Sequence, residues 1–237
     1  MKIDIVKATD FASKSAYLVG EEIKRLQKIL DRNVNMVLAT GHTMIEFLDE
    51  LSKIKDIDWK KINFFHLDEY KGLTCSHVSS YGYFLTENLF SKVDTPKENI
   101  HFVCEFGKDE YMKIVREKGG IDITMLGIGM DGHLGFNEPP NYSSFDGRMQ
   151  EVKLRPETIE NNIDMYPEIL DNPYAITMGM ADIMESRKLF FLANKAKKAE
   201  IIKKALKGSI TEDVPASILQ KHPNVEIILD EEAASLL

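Results

Sequence analysis

The chain has 237 residues and a formal charge of -8, with a share of apolar and charged residues that is ordinary for a folded globular protein. This length suits one sizeable α/β domain, and the negative charge argues against nucleic acid as the main partner, because phosphate backbones are bound by clustered Lys and Arg. The N-terminal segment has no signal-peptide core and no apolar run approaches transmembrane length, so we expect no membrane partner.

Strand-like and helix-like stretches alternate along the chain. Short apolar runs predict strands at residues 2–6, 35–39, 61–67, 100–103, 121–129, 174–178, 189–192 and 224–229. Apolar residues at helical spacing predict helices at 16–30, 44–51, 76–90, 109–118 and 195–206. This alternation predicts an α/β fold with a single doubly wound, mostly parallel sheet and helices on both faces, which is a Rossmann-like arrangement.

Between residues 141 and 172 the pattern loses its period and becomes polar, with Pro156 and Pro167 interrupting it. A stretch of this length without clear elements is usually functional in a compact domain. We therefore expect a lid over a binding site, carried by a single domain that spans residues 1–237.

The densest group of reactive side chains follows the strand predicted at residues 121–129. Asp131, His133 and Glu138 lie within the stretch LGIGMDGHLGFNEP. Strands of open α/β sheets present functional groups beyond their carboxyl ends, so we expect these three side chains at one strand tip. An imidazole between carboxylates suits proton transfer. The alternative is an Asp-Gly turn whose histidine is held by a neighbouring carboxylate.

The turn Thr40-Gly41-His42-Thr43 lies between a predicted strand and a predicted helix. Thr43 and Glu46 form a T-x-x-E capping box, which predicts that the helix starts at Thr43. A helix N-terminus beside a glycine favours the binding of a phosphate or carboxylate group. The alternative is a capped helix that binds no ligand.

Asp68, Glu69 and Tyr70 follow the strand predicted at residues 61–67. Successive residues of an extended chain point to opposite sides, so at most one of the two acids is expected to face a substrate. The alternative is a solvated loop.

Lys195, Lys197 and Lys198 lie at the start of a predicted helix, where positive charge is unfavourable unless an anion is bound nearby. The alternative is a solvated basic face, because Lys203 and Lys204 continue the run of charge. Taken together, the four polar strand ends predict a pocket with an anion-binding end and a proton-transfer end.

The two cysteines, Cys75 and Cys104, are too few and too scattered for a disulfide framework or a metal site. We therefore expect both to be reduced thiols, as in a cytoplasmic protein, and we expect no bound metal.

Four segments occur in the same order as in the glucosamine-6-phosphate deaminases, also called isomerases, and the chain resembles that family over nearly its whole length. The segments are the ATGHT turn, LDEYKGL, GIGMDGHLGFNEP and NKAKKAE. The stretch DGHLGFNEP is the most specific of them. The related 6-phosphogluconolactonases are similar through G-x-G-x-DGH but lack the FNEP continuation.

The resemblance implies a reaction that converts glucosamine 6-phosphate to fructose 6-phosphate and ammonia, without metal or organic cofactor. Asp68 resembles the general base that moves a proton between C2 and C1 of the opened sugar. His133 resembles the residue that assists ring opening, with Asp131 and Glu138 as its carboxylate partners. The residues that would hold the phosphate are Thr40, Gly41, His42, Thr43 and Lys198.

The chain departs from the family pattern in two places. His42 and Met44 stand where the family commonly has the glycine and proline of TGGTP. The lid of the family often carries an arginine that contacts the phosphate, whereas the corresponding stretch here, IENNIDMYPEIL, has none. Arg148 and Arg155 are the candidates to replace it.

The altered turn and lid keep galactosamine 6-phosphate open as the alternative substrate of the same reaction. Lactone hydrolysis by a 6-phosphogluconolactonase and non-catalytic binding of a sugar phosphate are the alternatives of other classes. The allosteric residues and C-terminal extension of the enteric hexamers are not recognisable, which by analogy favours a monomer over a homo-oligomer.

Overall fold

The structure is a computed structural model that describes residues 1–139, 144–163 and 166–237, apart from the side chains of residues 161 and 168. Its strands are β1 (Lys2–Val6), β2 (Val34–Leu38), β3 (Ile62–His66), β4 (Asp68–Tyr70), β5 (Ile100–His101), β6 (Ile123–Leu126), β7 (Gln150–Lys153), β8 (Tyr174–Thr177), β9 (Lys188–Ala193) and β10 (Val225–Asp230). Its α-helices are α1 (Phe11–Ile29), α2 (His42–Ser52), α3 (Tyr81–Leu85), α4 (Val103–Phe106), α5 (Lys108–Glu117), α6 (Pro156–Asn162), α7 (Met180–Met184) and α8 (Ala199–Lys207).

Seven strands form a parallel sheet in the order β1-β10-β9-β6-β2-β3-β5. Every residue of β2, β3, β6 and β10 is buried, which requires that both faces of the sheet be covered. Helix α1 contributes to the core through Ala16, Val19 and Ile23, which follow the predicted helical spacing. The predicted fold class, a doubly wound α/β domain, is confirmed.

The order of the strands places a topological switch point between β2 and β6. From β2 the chain proceeds through β3 to β5 at one edge, and then returns to β6 on the other side of β2. From β6 it continues outward to β9 and β10. Loops that leave neighbouring strands in opposite directions open a crevice between them, and ligands of open α/β sheets bind in that crevice.

A second sheet, which the sequence analysis did not predict, has three antiparallel strands in the order β4-β8-β7. The predicted strand at residues 174–178 belongs to this sheet as β8. Residues Asp68, Glu69 and Tyr70 are buried within β4 rather than exposed in a solvated loop. Tyr70 packs in a separate apolar cluster with Phe136 and Tyr166.

The prediction that residues 141–172 contain no clear elements is wrong for the described part of this range, and residues 141–143, 164 and 165 lie outside it. The range includes β7, α6 and a 3-10 helix at Pro167–Leu170. Pro156 begins α6. Proline suits this position because the first N–H groups of a helix have no partner within the helix, and because its fixed φ is close to the helical value. Pro167 begins the 3-10 helix in the same way, so both prolines start elements rather than interrupt them.

Other predicted elements also have different bounds. The strand predicted at residues 121–129 is only the four residues of β6, and the helix predicted at 16–30 begins earlier, as α1. Within residues 76–90 the helix begins at Tyr81, because the Ser80 side chain caps the N–H of Tyr83, and it ends as a π-helix at Thr86–Phe90. The strand at residues 100–103 is only the two residues of β5, since α4 begins at Val103. The helix at residues 195–206 begins as a 3-10 turn at Ala196–Lys198 and continues as α8.

The prediction of reduced thiols is also wrong, because Cys75 and Cys104 form a disulfide with Cα atoms 5.8 Å apart. The two residues are 29 positions apart in sequence. Cys75 follows β4, which continues the chain from β3, and Cys104 follows β5, which pairs with β3. Folding therefore brings together cysteines whose spacing in the chain gives no indication of contact. No helix within the described ranges is long and apolar enough to cross a membrane.

Candidate active site

A cavity of about 400 Å³ opens at the carboxyl ends of β2, β3, β6 and β9, beside the switch point. All four predicted strand ends contribute to it. The predicted site residues that line it are Thr40, Gly41, His42, Thr43, Asp68, His133, Glu138, Lys195, Lys197 and Lys198. Asp131 is not part of the lining and contacts the cavity through His133.

One end of the cavity is formed by the start of α2. The helix begins at His42 with Gly41 as its N-cap, and Gly41 has φ 106°, a conformation that favours glycine. The predicted capping box is wrong, because no side chain caps this helix and the Thr43 hydroxyl instead lies 3.0 Å from Oδ1 of Asn194. The first N–H groups of α2 therefore have no capping side chain to satisfy them, which suits an anion in the cavity.

Lys198 lies at the same end, where its ammonium group donates a hydrogen bond to the carbonyl oxygen of Ile128. The pKa of Lys198 is lowered to about 8, chiefly by burial and also by the nearby charge of Lys197, against an opposing effect of Asp131. A buried ammonium group beside another lysine is stabilised by a bound anion. Lys195 also lines the cavity, and its backbone N–H is fixed by Oδ2 of Asp230 at 2.9 Å.

At the other end the imidazole of His133 lies between two carboxyl groups. Its Nδ1 is 2.7 Å from Oδ1 of Asp131 and 3.8 Å from Oε1 of Glu138. The shorter contact lies within ion-pair distance, although it is not an aligned hydrogen bond, and it is an ion pair when the ring is protonated. Burial by itself raises the pKa of Asp131, but the contact with His133 and the charge of that ring outweigh it and hold the pKa at about 2.

The absence of a side chain at Gly129 leaves room for the imidazole of His133. A Cβ atom at this position would lie 2.2 Å from Cε1 of His133, far inside van der Waals contact. The backbone N–H of Gly129 also donates to the carbonyl oxygen of His133 at 3.0 Å, which closes the loop after β6. The glycine of the G-x-G segment is therefore needed for close packing against the ring.

The alternation of side chains along β4 separates the two neighbouring acids. Asp68 lines the cavity, whereas the Glu69 carboxylate turns away and accepts hydrogen bonds from the backbone N–H groups of Tyr70, Tyr81 and Gly82. Burial raises the pKa of Asp68 well above its usual range, and the negative charges of Glu69 and Glu138 add to this effect.

The sequence analysis missed the part of the site that α6 provides. Thr158 and Asn162, one helical turn apart, line the cavity, and the Thr158 hydroxyl donates to Oε1 of Glu138. Treating Pro156 as the first residue of a helix would have placed both side chains on one face. Tyr81 also lines the cavity without a motif to mark it, and Asn194, the first residue of NKAKKAE, lines it although the sequence analysis gave it no role.

The two candidate arginines lie in different places. Arg148 pairs with Asp182 and Glu185 beside another cavity, so it is not available as a replacement for the lid arginine at this site. Arg155 lies next to the site, where its Nη1 is 2.7 Å from Oδ2 of Asp131.

Comparison with known proteins identifies the family. A sequence profile described as glucosamine-6-phosphate isomerases/6-phosphogluconolactonase matches residues 7–228. The chain belongs to this family.

Among its relatives, the glucosamine-6-phosphate deaminase of Thermoanaerobacter pseudethanolicus is 39% identical over 248 aligned residues, which cover 100% of this chain and 95% of that protein. The glucosamine-6-phosphate deaminase 2 of Bacillus subtilis is 38% identical and is covered to 98%. A solved structure of a monomeric glucosamine-6-phosphate deaminase matches over 100% of both chains, with a TM-score of 0.90 and 31% identity. The 6-phosphogluconolactonase of Thermotoga maritima, with a TM-score of 0.78 and 19% identity, shares the fold.

We expect the affinity of this protein for sulfate to fall as the pH rises through about 8. Sulfate is the chosen anion because its own charge does not change over this pH range. Lys198 is positively charged below its pKa and neutral above it, so the anion loses an ionic partner. If only the charged form binds, the fall is about tenfold between about pH 7 and pH 9. Calorimetric titration would measure it. Lys198→Met should bind weakly at every pH, and a wild-type affinity that stays constant over this range would contradict the assignment.

Proposed function

We propose that this protein is a deaminase that converts glucosamine 6-phosphate to fructose 6-phosphate and ammonia. The observation that carries the proposal is that one cavity joins an anion-binding end to two separate proton-transfer groups, Asp68 and the His133 cluster. The full-length relatives named as glucosamine-6-phosphate deaminases support it. Galactosamine 6-phosphate is the second candidate substrate, because His42 lines the cavity where the family commonly has a glycine, and the stretch IENNIDMYPEIL lacks the lid arginine.

The anion end would hold the substrate's phosphate. Backbone N–H groups from Thr40 to Thr43 and the ammonium group of Lys198 can bind phosphate oxygens without any metal ion. This anchor fixes the sugar so that its first two carbons extend towards His133 and Asp68.

His133 would open the pyranose ring. As a base the imidazole takes the proton of the C1 hydroxyl, and as an acid it returns a proton to the ring oxygen when the bond from C1 to that oxygen breaks. The product is an open-chain α-amino aldehyde. Asp131 and Glu138 stabilise the imidazolium and orient the ring, and Arg155 in turn holds Asp131.

Asp68 would then move the proton that defines the isomerisation. The aldehyde acidifies the C2 proton, and Asp68 removes it to give an enolamine. Because its raised pKa makes this carboxylate a stronger base than an ordinary aspartate, it is suited to the task. Return of the proton to C1 gives a ketimine at C2, and water hydrolyses this ketimine to the ketose and ammonia. Each step is acid-base chemistry, so the scheme needs no redox cofactor.

The decisive test is ammonia release from glucosamine 6-phosphate and galactosamine 6-phosphate by the wild-type protein and Asp68→Asn. We expect turnover of the glucosamine substrate, and a fall in kcat of roughly 10²- to 10⁴-fold in the variant, which keeps the shape of the side chain but cannot accept the proton. Asp109→Asn, on an exposed side chain of α5, is the matched control and should retain full activity.

The outcomes separate the hypotheses. Full activity in Asp68→Asn would show that the base has been assigned wrongly. Preferential turnover of the galactosamine epimer would change the substrate but keep the mechanism. Absence of ammonia from both sugars, combined with hydrolysis of 6-phosphogluconolactone or with binding alone, would refute the proposed function.

We further propose that residues 141–172 act as the lid of the single domain, with α6 as the part that closes over the substrate. Thr158 and Asn162 of this helix line the cavity, and Thr158 is linked to Glu138. Hydrogen exchange should therefore slow in the amides of α6 when fructose 6-phosphate is bound, while the buried face of α1 is unaffected. Unchanged exchange in α6 at saturating ligand would contradict the lid assignment.

We also propose that the protein is a monomer, which its likeness to a monomeric deaminase favours. We propose further that it is located in the cytoplasm, which the metabolic substrate favours. Light scattering at several concentrations would test the first statement, and cell fractionation would test the second. A dimer or larger species would refute the monomer.

A further inference from the structure

A second cluster of reactive side chains lies beyond Asp68, on the side of β4 that faces away from the cavity. It consists of His66, Glu69 and Cys104, whose potential ligand atoms all lie within 4.8 Å of one another. We propose that reduction of the Cys75–Cys104 disulfide opens a zinc site formed by His66, Glu69 and Cys104. This inference goes beyond the proposed deaminase activity and does not depend on it.

His66 is the observation that points to a ligand. Its side chain is completely buried, and neither Nδ1 nor Nε2 has a hydrogen-bond partner among the described residues. Buried polar atoms without partners are costly and uncommon in folded proteins. The ring is held in place by edge-on packing against Phe102 and Tyr111, at centroid distances of 5.2 and 6.1 Å. A metal ion would satisfy a nitrogen atom that the protein leaves unpaired.

Glu69 supplies the second ligand in a fixed orientation. Its two carboxylate oxygens accept hydrogen bonds from the backbone N–H groups of Tyr70, Tyr81 and Gly82, at 2.9, 3.0 and 3.0 Å. Hydrogen bonds of this kind orient carboxylates that bind metals. Oε1 accepts two of these bonds and Oε2 only one, so Oε2 keeps a lone pair for a ligand bond. The carboxylate therefore needs no rearrangement to bind an ion.

The distance between His66 and Glu69 suits zinc. Zinc bonds to nitrogen, oxygen and sulfur are about 2.0 to 2.3 Å long, so the ligand atoms of a tetrahedral site lie roughly 3.3 to 3.8 Å apart. Nε2 of His66 and Oε2 of Glu69 are 3.7 Å apart. A set of imidazole, carboxylate and thiolate donors is among those that zinc accepts.

The disulfide controls the third ligand. While Sγ of Cys104 is bonded to Sγ of Cys75 it cannot act as a thiolate. A dithiol reductant supplies two electrons and two protons, the sulfur–sulfur bond breaks, and the reductant is oxidised to its own disulfide. Zinc then replaces the proton of the Cys104 thiol, and the fourth position is open to water or to the released Cys75 thiolate.

The first test is titration of the wild-type protein with Co²⁺, followed by displacement with Zn²⁺, before and after treatment with a phosphine reductant. The reduced protein should bind one Co²⁺ per chain with an intense thiolate-to-cobalt absorption band, and Zn²⁺ should abolish the band. The oxidised protein should show no such band. Cobalt held by His133, Asp131 and Glu138 in the active site lacks a sulfur ligand, so it cannot produce this signal.

Cys75→Ser and Cys104→Ser form a matched pair, because both remove the disulfide but only the second removes a proposed ligand. We expect Cys75→Ser to bind Co²⁺ with the thiolate band in the absence of reductant, and Cys104→Ser to show no band. His66→Phe, which keeps the ring packing, should weaken binding in the reduced protein by more than about a hundredfold.

Equal metal binding by the two cysteine variants, or reduced wild-type protein without a thiolate band, would overturn the proposal. The wild-type titration needs no substitution, so it decides the question even if a variant fails to fold.

Discussion

The site depends on one constraint, the parallel pairing of β6 with β9 on one side and β2 on the other. Ile123 is paired with Lys188 and with Met36, and this register brings three strand ends to the same edge of the sheet. Neighbouring parallel strands have their carboxyl ends at the same edge of the sheet, so the loops after β2, β6 and β9 lie next to one another there. The anion end and His133 are neighbours for this reason, although their residues are distant in sequence.

Positively charged groups and carboxyl groups occupy different parts of the cavity. The start of α2 and Lys198 make one end favourable for an anion, while burial and the charges of Glu69 and Glu138 keep the pKa of Asp68 high at the other. A carboxylate close to the lysine would be held as an inert anion with a low pKa. Under the proposed function, the same cavity would hold a phosphate at the start of α2 and Lys198 and would present Asp68 as the base.

The parts of the molecule that follow from local pattern could be predicted from the sequence, and those that follow from long-range packing could not. The strands of the main sheet and the residues at their ends, such as Gly41 and His133, are marked by apolar runs and turns. The second sheet arises because β4 pairs with β8, far along the chain, and the Cys75–Cys104 bond forms because β5 pairs with β3, the strand that leads into β4. No spacing in the chain reveals either pairing. Pro156 was predicted to interrupt the pattern, yet it begins α6. This helix could have been predicted locally, because proline is favoured at the first position of a helix.

Strand β4 connects the two sites that the structure suggests. Its alternation turns Asp68 into the cavity and Glu69 towards His66, so adjacent residues face a substrate on one side and a potential metal ion on the other. Glu69 also accepts the N–H of Tyr81, whose ring lines the cavity. The negative charge of Glu69 also contributes to the raised pKa of Asp68, so the side of β4 that faces away from the cavity helps to set the electrostatics of the proposed base.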